Sequence, residues 1–366
     1  DEDSSIEKLT FEPHIAKLLL PYRRVLEEMR NHHIEEELQR AQNLSLMLKW
    51  SVVDYSLFKG PKFCPNLSRP AVNMNLLKSV LMETQNRNLR HAVIIVYNLI
   101  TKEIVDNVNS NIRQWLARLF GVHKNEHCII DSENHIKSQM WAKIFSDTFL
   151  ISSEEIGVNW KYHHKIPGNG GCGSSRSDFA AVIFNGANQQ FPFFITEFEN
   201  DGFAVHKDAV AVVAETAFEY NRMLAVAYYL SEDEMNANCL HIGLVNGTTI
   251  YLSSMKVVYD ETKSALIYTY ENNGVTFKLH TEDQQADIVS VLKLVTYLRT
   301  NVYHNGVTLN ILLNRTTDTR NGALLASLPR LPRKAVKSRL SEIEFTPSAK
   351  RVKYIDIGLN IEIQNV

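Results

Sequence analysis

Residues 176–199 read RSDFAAVIFNGANQQFPFFITEFE, and the fold turns on how this stretch pairs. Two apolar runs, RSDFAAVIF (176–184) and FPFFITEFE (191–199), flank the polar turn NGANQQ (185–190), which is the pattern of a β-hairpin. The near-continuous hydrophobicity of FPFFI marks a central strand buried on both faces rather than an edge. Strand side chains alternate with period two, so Glu197 and Glu199 share one face and Phe198 takes the other. The hairpin returns these acids to Asp178, near the start of the first strand. The reading predicts three carboxylates on one patch.

The same logic extends outward. Ahead of the hairpin, SENHIKSQMWAKIFSDTF (132–149) carries Ile136, Met140, Ile144 and Phe145 at helical spacing behind a Ser132 cap. GVNWKYHH (157–164) follows as a strand, then the glycine-rich loop PGNGGCGSS. Beyond the hairpin lie a long helix, HKDAVAVVAETAFEYNRMLAVAYYL (206–230), and a compact strand, LHIGLV (240–245). The predicted order is helix, three strands, helix, strand. TTIYLSSMKVVYD, SALIYTYENN and GVTFKLH then read as an antiparallel extension with an NNG-type turn, and a helix around QADIVSVLKLVTYLRT closes it. Residues 1–125 read as mainly helical, with Leu18, Leu19, Val25, Leu26 and Met29 set among charges. Residues 126–314 carry the α/β core and its β extension, and 315–366 form a basic tail.

Bulk properties exclude several classes. The 366 residues exceed what one core usually organises, and 45% hydrophobic with 22% charged residues is ordinary globular composition. The net charge of -2 offers no overall attraction to phosphate, so nucleic-acid contact requires local basic clusters. Cys64, Cys128, Cys172 and Cys239 form no C-x-x-C pair or disulfide framework and read as reduced, intracellular thiols. No run approaches the about 20 apolar residues of a membrane span, and DEDSSIEKL lacks the regions of a signal peptide. The chain starts at Asp1, which leaves an upstream segment open. In the tail, TPSAKRVKY (346–354) presents Lys350, Arg351 and Lys353 as a short nuclear-import signal for an import receptor; nucleic-acid binding or a basic rim are the alternatives.

Asp178, Glu197 and Glu199 would repel one another without a cation. Mg2+ or Mn2+ suits such hard oxygen ligands and also binds phosphate oxygens, so the chemistry the patch favours is phosphoryl transfer. The bland reading, charged residues guarding a strand edge, fits the central character of FPFFI poorly. GNGGCG lacks the G-K-[ST] ending of an ATP-binding loop. His163 and His164, adjacent in a strand, face opposite ways and make a poor metal pair.

SRSDFAAVIF followed by FFITEFEN, within that element order, resembles the PD-(D/E)XK or restriction-endonuclease-like superfamily. The resemblance implies an αβββαβ core and a divalent-metal-dependent nuclease acting on DNA or RNA. Asp178, Glu197 and Glu199 would bind metal, and Glu133 on the preceding helix would join them. Glu199 stands where the family's E-x-K motif has lysine; some members carry E-x-E, and Lys207 on the following helix is the candidate replacement, with His206 behind it. Glu215 and Tyr220 occupy positions where some relatives keep polar residues. Lys161, Lys165 and Arg176 are candidate contacts to a nucleic-acid backbone. The departure at Glu199 also admits a noncatalytic module binding nucleic acid or protein, such as the nuclease-like domains of Crinkler-type effectors.

Overall fold

The computed structural model describes residues 24–29, 31, 35–54, 137–150, 156–165, 175–199, 205–227, 230–260, 265–278, 290, 293–295, 297–315, 322–329 and 331. Its centre is a mixed seven-stranded sheet of order β1-β7-β6-β5-β4-β3-β2. The hairpin is β3 (Arg176–Phe184) and β4 (Gln190–Glu199), with β2 (Ile156–His163) antiparallel on its outer side. Helix α3 (Val205–Val226) then carries the chain over to β5 (Cys239–Asn246), which pairs parallel with β4. A parallel pair needs such a crossover, because a tight turn cannot reverse the strand direction twice. The expected order of helix, three strands, helix and strand is therefore present.

β6 (Thr249–Asp260) and β7 (Ala265–Lys278) extend the sheet antiparallel to β5. Here one expectation needs correcting. Glu271, Asn272, Asn273 and Gly274 do not turn the chain: β7 runs through them, and the register against β6 shifts between Leu252 and Ser253. A bulge absorbs the extra residues that an NNG motif would otherwise spend on a turn. The far edge is β1 (Val52–Asp54), parallel to β7. It follows helix α1 (Glu35–Lys49), whose Leu44, Met47 and Leu48 belong to the same hydrophobic cluster as the sheet.

One face of the hairpin is covered by a π-helical turn (Lys137–Trp141) running into α2 (Ala142–Leu150). Trp141, Phe145, Phe149, Trp160, Phe179, Phe194 and Phe198 form an aromatic layer there. Phe145 meets Phe179 at 5.0 Å and Phe198 at 5.9 Å, and Trp160 meets Phe179 at 4.8 Å. Tilted and edge-on pairs at these spacings add to the area they bury. Helix α4 (His304–Leu313), entered through a π-helical turn (Leu298–Tyr303), closes this layer. Gly306 is required at the contact, since a Cβ there would come within 2.6 Å of the Phe193 ring. Among the described residues no helix is long and apolar enough to cross a membrane.

Candidate active site

Strict alternation fails in β2 and β3 at one level of the sheet, and this shapes the site. Lys161 has φ of +62°, a left-handed conformation that costs a non-glycine residue about 1 kcal/mol. On one side of it, Trp160 pairs with Phe179, and both join the aromatic layer under α2. On the other side, Tyr162 pairs with Ser177, and both bond to residues of α3 or to their partners. The strand pair thus swings from one layer to the other at Lys161 and Asp178, the two residues between these pairs.

Asp178 is held accordingly. The pairing of β3 with β4 runs to Phe179 and Thr196, and Asp178 and Glu197 are the next residues of the two strands. β4 continues past this point against β5, and the Phe198 amide, with no backbone acceptor from β3, donates to Asp178 Oδ2 at 3.0 Å. Asp178 Oδ1 receives the Lys137 ammonium at 2.7 Å, in a pair whose side chains are 14% and 22% exposed. Lys137 also stands over the Phe198 ring, 5.3 Å from its centre. Its turn is fixed from the other end: the Trp141 indole N–H donates to Gly247 O in the β5–β6 turn at 3.0 Å. Lys137 is a partner of Asp178 that motif reading passes over. The signal available was its place on the helix ahead of the strands, one turn from Trp141.

Glu197 is buried at 3% exposure, and Phe198 sits in the aromatic layer as alternation requires. The side chains of Glu199 and Lys207 lie outside the described residues, although their backbones belong to β4 and α3. Glu133, Lys350, Arg351 and Lys353 lie wholly outside them, as does most of the glycine-rich loop. Among the described residues no group of three His, Cys, Asp or Glu side chains is placed to hold a metal ion. Lys161, His163, Lys165 and Arg176 are exposed, and His163 pairs directly with Arg176. Lys161 and His163 lie on the edge strand β2, Lys165 just past its end, and Arg176 at the start of β3.

A second cluster, of which the sequence analysis names Glu215 and His164 without joining them, lies immediately behind. Glu215, Glu219 and Arg222 project from one face of α3 at i, i+4 and i+7. Ser175 donates to Glu215 Oε1, Ser177 donates to Glu215 Oε2 at 3.1 Å, and His164 Nε2 meets the Ser177 hydroxyl. His164 Nδ1 stands 2.9 Å from Glu219 Oε1, and Arg222 Nε donates to Glu219 Oε2 at 2.8 Å. Arg222 also donates to Tyr162 Oη at 3.1 Å and to Gln190 O. His164, Glu215, Glu219, Ser175 and Ser177 are all buried. Burial, reinforced by Glu219 and opposed by Arg222, pushes the Tyr162 phenol well above its ordinary range, so it remains a donor.

The Ser177, His164 and Glu219 chain has the connectivity of a nucleophile, base and carboxylate. Its hydroxyl, however, is enclosed near the start of β3 and already donates to Glu215. The cluster serves instead to bolt the first residues of β3, and with them Asp178, to α3. Glu215 therefore faces the site's foundation rather than its opening. Tyr220 bonds elsewhere, to Asn238 O at 3.2 Å, and packs on Tyr268.

No family model matches this sequence, and no curated protein or solved structure matches it either.

Proposed function

We propose that this chain is a divalent-metal-dependent nuclease of the PD-(D/E)XK type, hydrolysing phosphodiester bonds of DNA or RNA. The observation that carries the reading is the position of Asp178 near the start of β3 and of Glu197 near the end of the paired strand β4. They lie in an antiparallel β2–β3–β4 meander that α3 continues into the parallel strand β5. That topology is compatible with the αβββαβ order implied by the sequence resemblance.

The donor set fits Mg2+ or Mn2+. These ions need only one or two carboxylates, keeping waters and phosphate oxygens for the rest of their shell. Asp178 already accepts a cation on Oδ1, since the Lys137 ammonium sits there. Asp178 and Glu197 would hold the ion, with Glu199 and Glu133 as further ligands. Bound there, it would supply activation of water and stabilisation of the departing oxygen. The protein's own groups prepare the rest. The Phe198 amide orients the Asp178 carboxylate, the aromatic layer excludes water beneath it, and Lys161, Lys165 and Arg176 offer positive charge to the phosphate backbone. Lys207 remains a candidate for balancing transition-state charge.

A noncatalytic module is the second reading, favoured by Glu199 in place of lysine and by the engagement of both Asp178 oxygens. The test is cleavage of labelled single- and double-stranded DNA and RNA with Mg2+ or Mn2+, comparing the native chain with Asp178→Asn and Glu197→Gln. A nuclease loses at least about 100-fold of its rate in either variant, as expected for removing a group that stabilises the transition state. Binding without cleavage in every preparation selects the module.

A further inference from the structure

Carboxylates gathered at a strand end need a counter-charge before any metal arrives. The chain supplies one. We propose that Lys137 is an exchangeable counter-ion of the candidate metal site. Its ammonium holds Asp178 Oδ1 in the metal-free protein and gives up that oxygen when a divalent cation is taken up, leaving a positive charge beside the phosphate.

Four observations support this role, which rests on the metal-dependent reading above. The contact is an ion pair at 2.7 Å from a lysine, without the two-pronged grip of an arginine on the carboxylate, so only Oδ1 is engaged by the ammonium. The pair is neither buried nor fully solvated, at 14% and 22% exposure, so a hydrated ion can reach it. The displaced ammonium has somewhere to stay, because the Phe198 ring lies 5.3 Å from Nζ. Finally, the Trp141 bond to Gly247 O and the π-helical geometry of residues 137–141 keep the lysine's backbone at the site whichever partner the side chain takes. Lys137 would then contribute the positive charge that the E-x-E sequence omits, from the helix preceding the strands rather than from β4.

Mn2+ binding to the full chain, followed by the free-ion electron paramagnetic resonance signal, separates exchange from a structural role. Competition predicts that Lys137→Gln binds Mn2+ about tenfold more tightly, the scale of removing one neighbouring charge, while its cleavage rate falls at least about tenfold. Lys137→Arg keeps the wild-type affinity within a few fold. A purely structural lysine predicts the opposite sign for affinity, with Mn2+ binding weakened alongside the melting temperature. In the unmodified protein, the Lys137 side-chain nitrogen resonance shifts on titration with Mg2+. If wild type binds Mn2+ and Lys137→Gln binds it no more tightly, the exchange is overturned and the nuclease reading stands. If wild type binds no Mn2+ and cleaves nothing, both fall.

Discussion

The two layers that grip β3 are chemically unlike. Toward α2, Phe179 is held by Phe145, Phe149, Trp160 and Phe194, all packing without a hydrogen bond between them. Toward α3, Ser177 is held by Glu215 and His164, within a buried group of acids, an imidazole and a guanidinium. Asp178 lies between these two residues, so its backbone is fixed from both sides. Aromatic packing tolerates small shifts and excludes water; the ionic layer fixes geometry, because each buried charge depends on its partners. A carboxylate placed between them gains a dry floor from one and a fixed position from the other.

Breaking the aromatic layer gives the largest effect. Phe179→Ala should lower stability by about 3 to 5 kcal/mol, through lost burial and an unfilled cavity, read from chemical denaturation. In the ionic layer, Glu219→Gln leaves His164 and Arg222 without their shared carboxylate and should lose about 3 kcal/mol. The two layers part company on repair: replacing His164, Ser175, Ser177, Glu215 and Glu219 together by apolar residues of similar volume should recover much of that loss. Such a variant would remain folded yet misplace Asp178, which a metal-binding titration detects.

A third prediction concerns pH on the aromatic side of the sheet. Burial, helped by the nearby Lys256 ammonium, pushes the His241 imidazole down to about 3, and Cys239 Sγ lies 3.4 Å from its Nε2. His241 is thus neutral when folded, whereas the unfolded chain binds a proton near the ordinary value of about 6.5. Stability from this residue is complete above about 6.5 and is lost as pH falls toward 3, at up to about 1.4 kcal/mol per pH unit. Melting curves between pH 7 and 5 should show the loss, and His241→Phe should flatten it.

The smallest effect sharpens the comparison at its boundary. Lys161→Gly relieves the left-handed strain where the strands swing between layers and should stabilise the fold by up to about 1 kcal/mol. It should nevertheless weaken nucleic-acid binding and reduce the salt dependence by about one counterion.

The aromatic layer was legible in the sequence, because FPFFI, Ile144 and Phe145 repeat at strand and helix periods. The hairpin and the crossover into β5 followed from the same periodicity. The ionic layer was not, since Ser177 meets Glu215 across 38 residues and His164 meets Glu219 across 55. Such pairs leave no local pattern, and a histidine beside another histidine gives no sign of which one is buried. The swing at Lys161 was hidden for a related reason: a lysine does not announce a left-handed backbone as glycine would. The motif marks Asp178 and Glu197 and looks for a balancing cation after the strands, at Lys207, whose side chain lies outside the described residues; Lys137 reaches Asp178 from before them.

The most direct test of the central claim is the Mg2+- or Mn2+-dependent cleavage rate of the native chain against Asp178→Asn, each confirmed folded by its melting curve. The account predicts metal-dependent cleavage by the native chain and a loss of at least about 100-fold in the variant. Cleavage that survives the substitution unchanged would contradict it, as would a native chain that binds nucleic acid and never cuts it.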